Sequence, residues 1–276
     1  MISKVPYIVT AAIVGAETTR EQTPYLPISP KEMGEEAARC REAGAAMVHI
    51  HVRTKDGKPS QDAGLFRDAI REIRSRCDIL IQTSTGGAVG MGVDERCGPL
   101  TLRGPDRPDM ATLTTGTVNF GNDVFWNPRA LVREIAGRIR EAGLKPEIEC
   151  FDAGMVDEAF ALAKEGFIDL PAHFDFVLGV PGALGARESA LDFLVASLPT
   201  GSSFTVAGVG RHQLPMAALA AQKGGHGRVG LEDNIYLSKG VLAKGSYELV
   251  AAAAQAAKET GRDIATPRVT RELLKL

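Results

Sequence analysis

The pair of histidines in the apolar run Ala46–Arg53 could bind a metal. Successive side chains of a β-strand point to opposite faces, so His49 and His51 share one face if this run is a strand. Two imidazoles that project the same way are suitable ligands for a divalent first-row metal. An isolated His-x-His pair is also common on ordinary strands, so the metal interpretation depends on a further ligand from elsewhere.

The segment His226–Asp233 supplies that ligand, because it is strand-like and ends in two carboxylates, Glu232 and Asp233. Two histidines and one glutamate leave a coordination position open, which is typical of a catalytic zinc site. The sequence therefore predicts a site of His49, His51 and Glu232, provided that the fold brings the two segments together.

The elements that must position these residues alternate regularly along the chain. Short runs that are apolar on both faces, as in a buried parallel sheet, are followed by helical patterns. The predicted strands are Tyr7–Gly15, Ala46–Arg53, Ile79–Ser84, Met110–Gly116, Pro146–Asp152, Phe174–Val180, Phe204–Gly210 and Gly227–Glu232. The predicted helices are Ser29–Gly44, Leu65–Cys77, Val93–Leu102, Pro128–Gly143, Met155–Gly166, Glu188–Leu198, Pro215–Lys223, Tyr247–Gly261 and Val269–Leu276.

Repeated strand–helix units in a chain of 276 residues predict a (β/α)₈ TIM barrel. We expect one catalytic domain over residues 1–276, with a short C-terminal helical extension. An open, doubly wound sheet is the main alternative, but it usually has fewer strands and a G-x-G-x-x-G turn after the first one. The chain has Ile13-Val14-Gly15-Ala16-Glu17 at that point.

A barrel places its active site at the C-terminal ends of the strands, and its last strand lies beside its first. Only one strand would then separate Glu232 from His49 and His51. Other polar residues fall at predicted strand ends as candidates for the same site: Glu17, Ser84, Thr112, Asn119, Glu149, Arg228 and Asp233.

The remaining histidines and a second glutamate receive different interpretations. His173 and His226 fall at strand starts, where a structural role is expected. His212 follows the seventh strand, and the sequence leaves open whether it contacts substrate. Glu147 and Glu149 share a face of the fifth strand. Glu149 is nearer the active end and is the better candidate, and the sequence leaves open whether Glu147 has any role beyond satisfying buried polar groups.

Composition restricts the possible partners and compartment. The net charge of −2 gives no electrostatic footprint for nucleic acid or anionic lipid. The four cysteines are widely spaced and fit a reducing compartment. No run approaches the roughly 20 apolar residues of a transmembrane helix. The apolar run that starts at Tyr7 is short and follows Pro6, so we expect a strand rather than a signal peptide, and a soluble cytoplasmic protein.

Nearly the whole chain resembles the β-keto acid cleavage enzyme family. The blocks that carry the resemblance are Thr10–Ile13, Val48–Arg53, Gln82–Ala88, Lys145–Glu149, His173–Val180, Ala207–His212 and Arg228–Asn234. One departure is Thr83, where the family pattern has proline before the serine of the third-strand motif.

The resemblance implies a zinc-dependent TIM barrel that uses acetyl-CoA as co-substrate. Acetyl-CoA and a β-keto acid would give acetoacetate and a new acyl-CoA by a retro-Claisen route. His49, His51 and Glu232 would bind Zn²⁺, and Asp233 would be the base. The residues implied in supporting the base are Arg228 and Glu149, and those implied in binding the substrate carboxylate are Ser84, Gly86, Gly87 and Thr112. A homo-oligomer, expected to be a tetramer, and a role in lysine fermentation are implied as well.

The identity of the keto acid depends on Glu17, which follows the first strand. The resemblance implies that Glu17 contacts the amine of a cationic substrate such as 3-keto-5-aminohexanoate. Arg20 or Arg228 could neutralise Glu17 instead, and neutral or trimethylammonium-bearing keto acids stay open. Two alternative functions stay open. One is a metal-dependent carbon–carbon lyase or hydrolase without CoA. The other is a non-catalytic binder, in which Asp233 would have no evident purpose.

Overall fold

Eight parallel strands close into a barrel in a computed structural model that describes residues 5–276. The strands are β1 Val9–Val14, β2 Met47–Ile50, β3 Leu80–Thr83, β4 Met110–Thr114, β5 Lys145–Cys150, β6 His173–Leu178, β7 Ser203–Gly208 and β8 His226–Val229. They pair in sequence order, and β8 closes against β1 with Thr10 beside Arg228. The predicted TIM barrel is confirmed.

Helices surround the barrel and bury their apolar sides against it. They are α1 Pro30–Ala43, α2 Ala63–Arg76, α3 Val93–Arg96, α4 Arg129–Glu141, α5 Gly154–Lys164, α6 Glu188–Ala196, α7 Gln213–Gln222, α8 Ser246–Glu259 and α9 Pro267–Leu274. The ends of α1 follow the sequence signals closely. Ser29 accepts a hydrogen bond from the amide of Glu32, Pro30 opens the helix, and Gly44 ends it with a φ of 117°.

Three predicted boundaries differ from the structure. β2 stops at Ile50, because Val52–Arg53 pairs antiparallel with Pro59–Ser60 outside the barrel. The helix predicted over Val93–Leu102 ends at Arg96, and a 3₁₀ turn takes over at Gly98–Thr101 with Pro99 near its start.

The third boundary lies at the C-terminal end of β8. The strand predicted to reach Glu232 stops at Val229, because Gly230 turns the chain with a φ of +147°. A β-carbon at Gly230 would lie 2.2 Å from the carbonyl oxygen of Ala12, so only glycine fits this close approach to β1. Glu232 and Asp233 therefore lie on the loop that follows the strand.

Short strands that the sequence did not predict form a rim at the C-terminal end of the barrel. Val118–Phe120 pairs with Asp123–Phe125 in a structure that we call the phenylalanine hairpin, and Tyr236–Ser238 pairs with Val241–Leu242 after β8. At the opposite end, α9 packs Leu274 against a cluster that includes Ile8 and Met47. Within residues 5–276, no helix has the length and apolarity needed to cross a membrane.

Candidate metal and active site

The three predicted metal ligands converge at the open end of the barrel. His49 belongs to β2, His51 lies just beyond its end, and Glu232 follows β8. Their ligand atoms all lie within 4.8 Å of one another. The Nε2 atoms of His49 and His51 are 3.6 and 3.5 Å from Oε1 of Glu232. The structure thus brings together residues that are far apart in the sequence.

The position of Glu232 depends on a glycine at the end of β1. A β-carbon added at Gly15 would lie 2.5 Å from Cγ of Glu232, so the side chain of Glu232 occupies the space above this residue. The amide of Glu232 donates to the carbonyl of Ala12, 3.1 Å away. Closure of the barrel between β1 and β8 therefore directs the carboxylate towards the histidines.

The surroundings of His49 favour a neutral imidazole with a free nitrogen. Nδ1 of His49 lies 2.7 Å from Oε1 of Gln82, which can only accept, so Nδ1 carries the hydrogen and Nε2 has a lone pair. Burial lowers the pKa of His49 to about 4, although Glu232 opposes this shift. A neutral imidazole with a fixed tautomer is a competent metal ligand.

Glu232 completes a donor set that fits a divalent metal such as zinc. Burial would raise the pKa of Glu232, but Arg228 and the two histidines outweigh it and hold the pKa well below its usual range. Its Oε2 atom is buried and has no hydrogen-bond partner among residues 5–276. Two imidazole nitrogens, an ionised carboxylate and a buried oxygen without a partner suit a catalytic zinc site.

Arg228 connects this ligand set to further carboxylates. Its Nε is 3.0 Å from Oδ2 of Asp233, its Nη2 is 2.5 Å from Oε1 of Glu232, and its Nη1 is 3.2 Å from Oε1 of Glu149. Asp175 lies beneath, 3.7 Å from the same Nη1. The side chain of Arg228 is only 4% exposed, so these contacts are protected from solvent screening.

Asp233 has the environment of a general base. Burial raises its pKa above the usual aspartate value, with Glu232 adding to the rise and Arg228 opposing it. Both of its carboxylate oxygens face Arg228, which fixes the orientation of the group. Glu149, held by Arg228 and by Thr114 Oγ1 at 2.7 Å, also has a pKa that burial raises.

A cavity of about 210 Å³ opens above these residues and has two chemically different sides. The polar side lies over β1, β2 and β3, where Glu17, His51, Ser84, Gly86 and Gly87 line the cavity together with the apolar Ala16 and Val89. The apolar side lies over β4 to β7, and its lining residues are Phe120, Phe125, Phe151, Val177, Val180 and Val209. Arg228, Glu232 and Asp233 form the floor between them.

The predicted substrate-binding residues are divided between the cavity and its surroundings. Ser84 lines the cavity, and its Oγ accepts from the amide of Gly86 at 2.9 Å. Thr112 is buried inside the barrel, where its Oγ1 accepts from the amide of Thr85, and it does not line the cavity. Asn119 is exposed on the phenylalanine hairpin and packs close to Gly182, outside the cavity lining.

Glu17 lines the cavity, and neither arginine that was expected to neutralise it, Arg20 or Arg228, forms an ion pair with it. Arg20 forms an ion pair with Glu32, and Arg228 is occupied by the carboxylates described above. Within residues 5–276, Glu17 has no hydrogen bond or ion pair. Burial lowers the pKa of Arg53, and the charge of Glu17 opposes this shift. The guanidinium of Arg53 is nevertheless hydrogen-bonded to the carbonyls of Gly15 and Thr18 rather than to Glu17.

Several functional neighbours were missed in the sequence. Gln82 orients His49, Thr114 holds Glu149, and Asp175 lies beneath Arg228. The available signal was a polar residue inside an apolar strand, as in Ile79–Ser84 and Phe174–Val180. Such a residue either points into the barrel or interrupts the strand, and the sequence does not distinguish these outcomes.

The histidines at the start of β6 and β8 have the structural environment predicted for them. His226 is buried, and its Nδ1 accepts from the amide of Ile8 at 3.1 Å. His173 lies 2.7 Å from Oγ of Ser203 and, through Nε2, 3.3 Å from Oε1 of Glu147. Both histidines and Glu147 lie below the ligand set, within the barrel interior.

Comparison with known proteins places the chain among enzymes. The model of a family described as beta-keto acid cleavage enzyme matches residues 6–276. The "3-keto-5-aminohexanoate cleavage enzyme" of Fusobacterium nucleatum subsp. nucleatum is 51% identical over 271 residues, covering 98% of this chain and 97% of the relative. The "3-oxoadipate:acetyl-CoA acetyltransferase" of Cupriavidus necator is 40% identical, covering 98% of this chain and 95% of the relative.

Among solved structures, the chain is similar to one described as "Ternary complex of ObcA with C4-CoA adduct and oxalate". The two share 22% sequence identity with a TM-score of 0.79, and the match covers 92% of this chain and 68% of the other. At this level of identity the likeness supports the barrel fold alone.

Proposed function

The chain belongs to the beta-keto acid cleavage enzyme family, and on that premise we propose that it cleaves a β-keto acid with acetyl-CoA to give acetoacetate and a new acyl-CoA. The observation that carries the proposal is the position of Asp233 beside a three-ligand cluster on the floor of one cavity. A base next to a metal site suits removal of a proton from carbon α to a ketone. The name of the relative from Cupriavidus necator supports acetyl-CoA as the second substrate.

His49, His51 and Glu232 are proposed to hold zinc through Nε2, Nε2 and a carboxylate oxygen. A divalent metal bound there would withdraw electron density from the ketone of the substrate and lower the pKa of its C2 protons. Gln82 fixes the tautomer of His49, and Arg228 keeps Glu232 ionised. These contacts hold the donor set in the state that binds a cation.

Asp233 is proposed to take one C2 proton, while Arg228 keeps its carboxylate in position. The C2 carbanion then attacks the thioester carbonyl of acetyl-CoA, and the CoA thiolate leaves. The thiolate adds to the original ketone, the bond between C2 and C3 breaks, and a new acyl-CoA forms. Carbon 2, now part of acetoacetate, regains a proton from Asp233. Atoms and charges balance without a further reactant.

The carboxylate of the keto acid is proposed to bind at the end of β3. The amide of Gly86 already donates to Ser84 Oγ, so the hydroxyl hydrogen of Ser84 is available for an anion in the cavity. Gly87, with a φ of +65°, adds main chain that lies open to the same space. Pinning the carboxylate here keeps it away from the metal ligands and orients C2 towards Asp233.

A cationic group at the far end of the substrate is proposed to face Glu17. A carboxylate that lines a cavity already containing Glu149, Glu232 and Asp233 is stabilised by a positive charge from the ligand. Support for this proposal comes from the other partners of Arg20 and Arg228, and from the hydrogen bonds of Arg53 to main-chain carbonyls rather than to Glu17. The name of the relative from Fusobacterium nucleatum supports 3-keto-5-aminohexanoate as the substrate. The homotetramer, the cytoplasmic location and the role in lysine fermentation stay predictions from the sequence.

The test is a thioester-dependent assay over β-keto acids with an ammonium, a trimethylammonium, a carboxylate or an uncharged far end. Acetyl-CoA carrying ¹³C in both acetyl carbons should give acetoacetate labelled at C3 and C4 and an unlabelled new acyl-CoA, resolved by mass spectrometry. Fragments that appear without acetyl-CoA would instead identify a CoA-independent lyase or hydrolase. Metal binding without turnover of any keto acid would leave the chain as a binder and overturn the proposal.

A further inference from the structure

Two arginines at the mouth of the barrel differ from all the others. Every other arginine of residues 5–276 donates from its side chain to a carboxylate or a main-chain carbonyl. The guanidinium of Arg187 has no partner in that part of the chain, and Arg211 contacts only Nε2 of His212, at 3.3 Å. Both side chains are exposed. Their guanidinium groups can donate hydrogen bonds to an anion, and no carboxylate of the described residues occupies these donors.

Their loops are adjacent and tightly connected. Arg187 ends the loop that follows β6, and Arg211 lies in the 3₁₀ turn that follows β7. The two loops meet at Gly179, where an added β-carbon would lie 3.2 Å from Cβ of Ala186 and 3.4 Å from Cδ2 of His212. The residues next to the two arginines in the sequence therefore contact the same glycine.

Both loops are also fixed to the catalytic cavity. The amide of Leu184 donates to the carbonyl of Phe151, which lines the cavity, and the amide of Gly210 donates to the carbonyl of Asp233 at 2.8 Å. Val180 and Val209, from the same two loops, form part of the apolar side. The two arginines therefore lie on loops that hydrogen bonds hold in place at the outer edge of the apolar side.

The division of the cavity into two sides directs the two substrates. The keto acid, with its carboxylate and charged far end, matches the polar side over β1 to β3. The pantetheine arm of acetyl-CoA is long and weakly polar, and it matches the apolar side over β4 to β7. An arm that leaves the cavity between Val180 and Val209 brings the diphosphate and 3′-phosphate of CoA to the loops of β6 and β7.

We infer that Arg187 and Arg211 bind the phosphates of the CoA substrate, and this inference rests on the proposed function. Guanidinium groups suit phosphate because their paired N–H donors match two of its oxygens. Phosphates carry several negative charges, which explains why these arginines have no carboxylate partner in the protein. The site is separate from the metal ligands and the base, and it determines affinity for CoA rather than the chemistry.

The test compares two thioesters that share the reacting group and differ in the phosphates. Arg187→Ala and Arg211→Ala should each lower kcat/KM for acetyl-CoA by about ten- to a hundredfold, the range for a lost charged contact. The same variants should change kcat/KM for S-acetylpantetheine, which lacks the nucleotide, by less than about twofold on the same scale. The KM of the keto acid should stay the same, and Arg187→Lys should recover part of the loss.

Lys55→Ala provides the matched control, because it removes an exposed cation from the loop of β2, on the opposite side of the barrel. Equal losses with both thioesters, or no loss with acetyl-CoA, would overturn the inference. Calorimetric binding of adenosine 3′,5′-bisphosphate is independent of turnover: wild type and Lys55→Ala should bind it, and the double arginine variant should not. Failure of the wild type to bind this probe also overturns the inference, whereas failure of the proposed function would leave both thioesters without turnover.

Discussion

Asp233 combines a raised pKa with an orientation fixed by Arg228, and this combination predicts the effect of its removal. Asp233→Asn should retain the metal and bind substrate, because the amide is nearly the same shape. Turnover should fall by about 10²–10⁴-fold, the usual contribution of a general base. Exchange of the C2 protons with D₂O, followed by NMR in the absence of acetyl-CoA, should stop. Exchange at the wild-type rate would show that another group is the base, and Glu149 would then be the next residue to test.

The ligand set predicts which substitutions remove the metal. His51→Ala and Glu232→Gln should each lose most of the bound zinc, measured by elemental analysis after gel filtration, while circular dichroism shows an intact fold. The reason is that each change removes one of only three donors. His212→Ala is the matched control, since it removes an imidazole from the barrel mouth outside the ligand set. Full occupancy in both ligand variants would refute the assignment.

Glu17 predicts a preference between substrates rather than a uniform effect on rate. Glu17→Gln should lower kcat/KM for an ammonium-bearing keto acid. The loss should correspond to about 1–3 kcal/mol of transition-state stabilisation, the range for losing a charge-assisted contact. An uncharged analogue of the same length should be affected much less, because it has no charge to lose. If kcat/KM falls equally for both substrates, Glu17 has a structural role in the loop after β1 and the cationic-substrate proposal is wrong.

At the level of the element, the ends of β1 and β8 position Glu232, and one glycine tests that arrangement. Gly15→Ala places a β-carbon in the space of the Glu232 side chain, 2.5 Å from Cγ. We expect zinc affinity to fall by about 10–100-fold, as for other changes that reorient a ligand. Titration against a chromophoric chelator measures the affinity, and the far-ultraviolet circular dichroism should stay that of the wild type. Unchanged affinity would show that Glu232 is free to move aside.

The sequence predicted the elements better than their ends. All eight barrel strands were identified, because alternating apolar runs and helical patterns are local features of the chain. The helix start at Ser29 was also correct, since a capping box involves neighbours only. The end of β8 was missed because the turn at Gly230 depends on the backbone of Ala12, which is distant in sequence.

The same distinction explains the candidate site. The convergence of His49, His51 and Glu232 followed from the closure rule of a barrel together with the chemistry of the residues. The roles of Gln82 and Thr114 depend on the register of neighbouring strands, which a pattern of apolar residues does not specify. The apolar side of the cavity was missed because the two strands of the phenylalanine hairpin are only three residues long, although Gly121-Asn122 between them is a recognisable two-residue turn.

At the level of the whole molecule, the buried layer beneath the site makes stability depend on pH. Burial holds the pKa of His226 well below its usual value, with His173 and Arg262 contributing in the same direction. An unfolded chain takes up a proton at this histidine as the pH falls through about 6.5, whereas the folded chain does not. The free energy of unfolding should therefore decrease below that pH, at up to about 1.4 kcal/mol per unit for this group.

His226→Asn tests this dependence, since its side-chain oxygen can still accept from the amide of Ile8 but cannot take up a proton. Urea unfolding at several pH values between about 7.5 and 5 covers the window of the unfolded histidine. The variant should be less stable at the upper end and lose less stability on acidification. Parallel curves for the two proteins would show that His226 does not contribute to the acid sensitivity.

The closure of the barrel between β1 and β8 also sets an order of events during synthesis on the ribosome. A nascent chain presents His49 and His51 early, but Glu232 emerges only after all eight barrel strands have been made. Until β8 pairs with β1, Glu232 is not beside the two imidazoles, and the proposed metal centre would lack its third ligand. A chain that stalls or is truncated before β8 would therefore lack both the barrel seam and the third proposed ligand, so the proposed metal centre would form only on a nearly finished polypeptide.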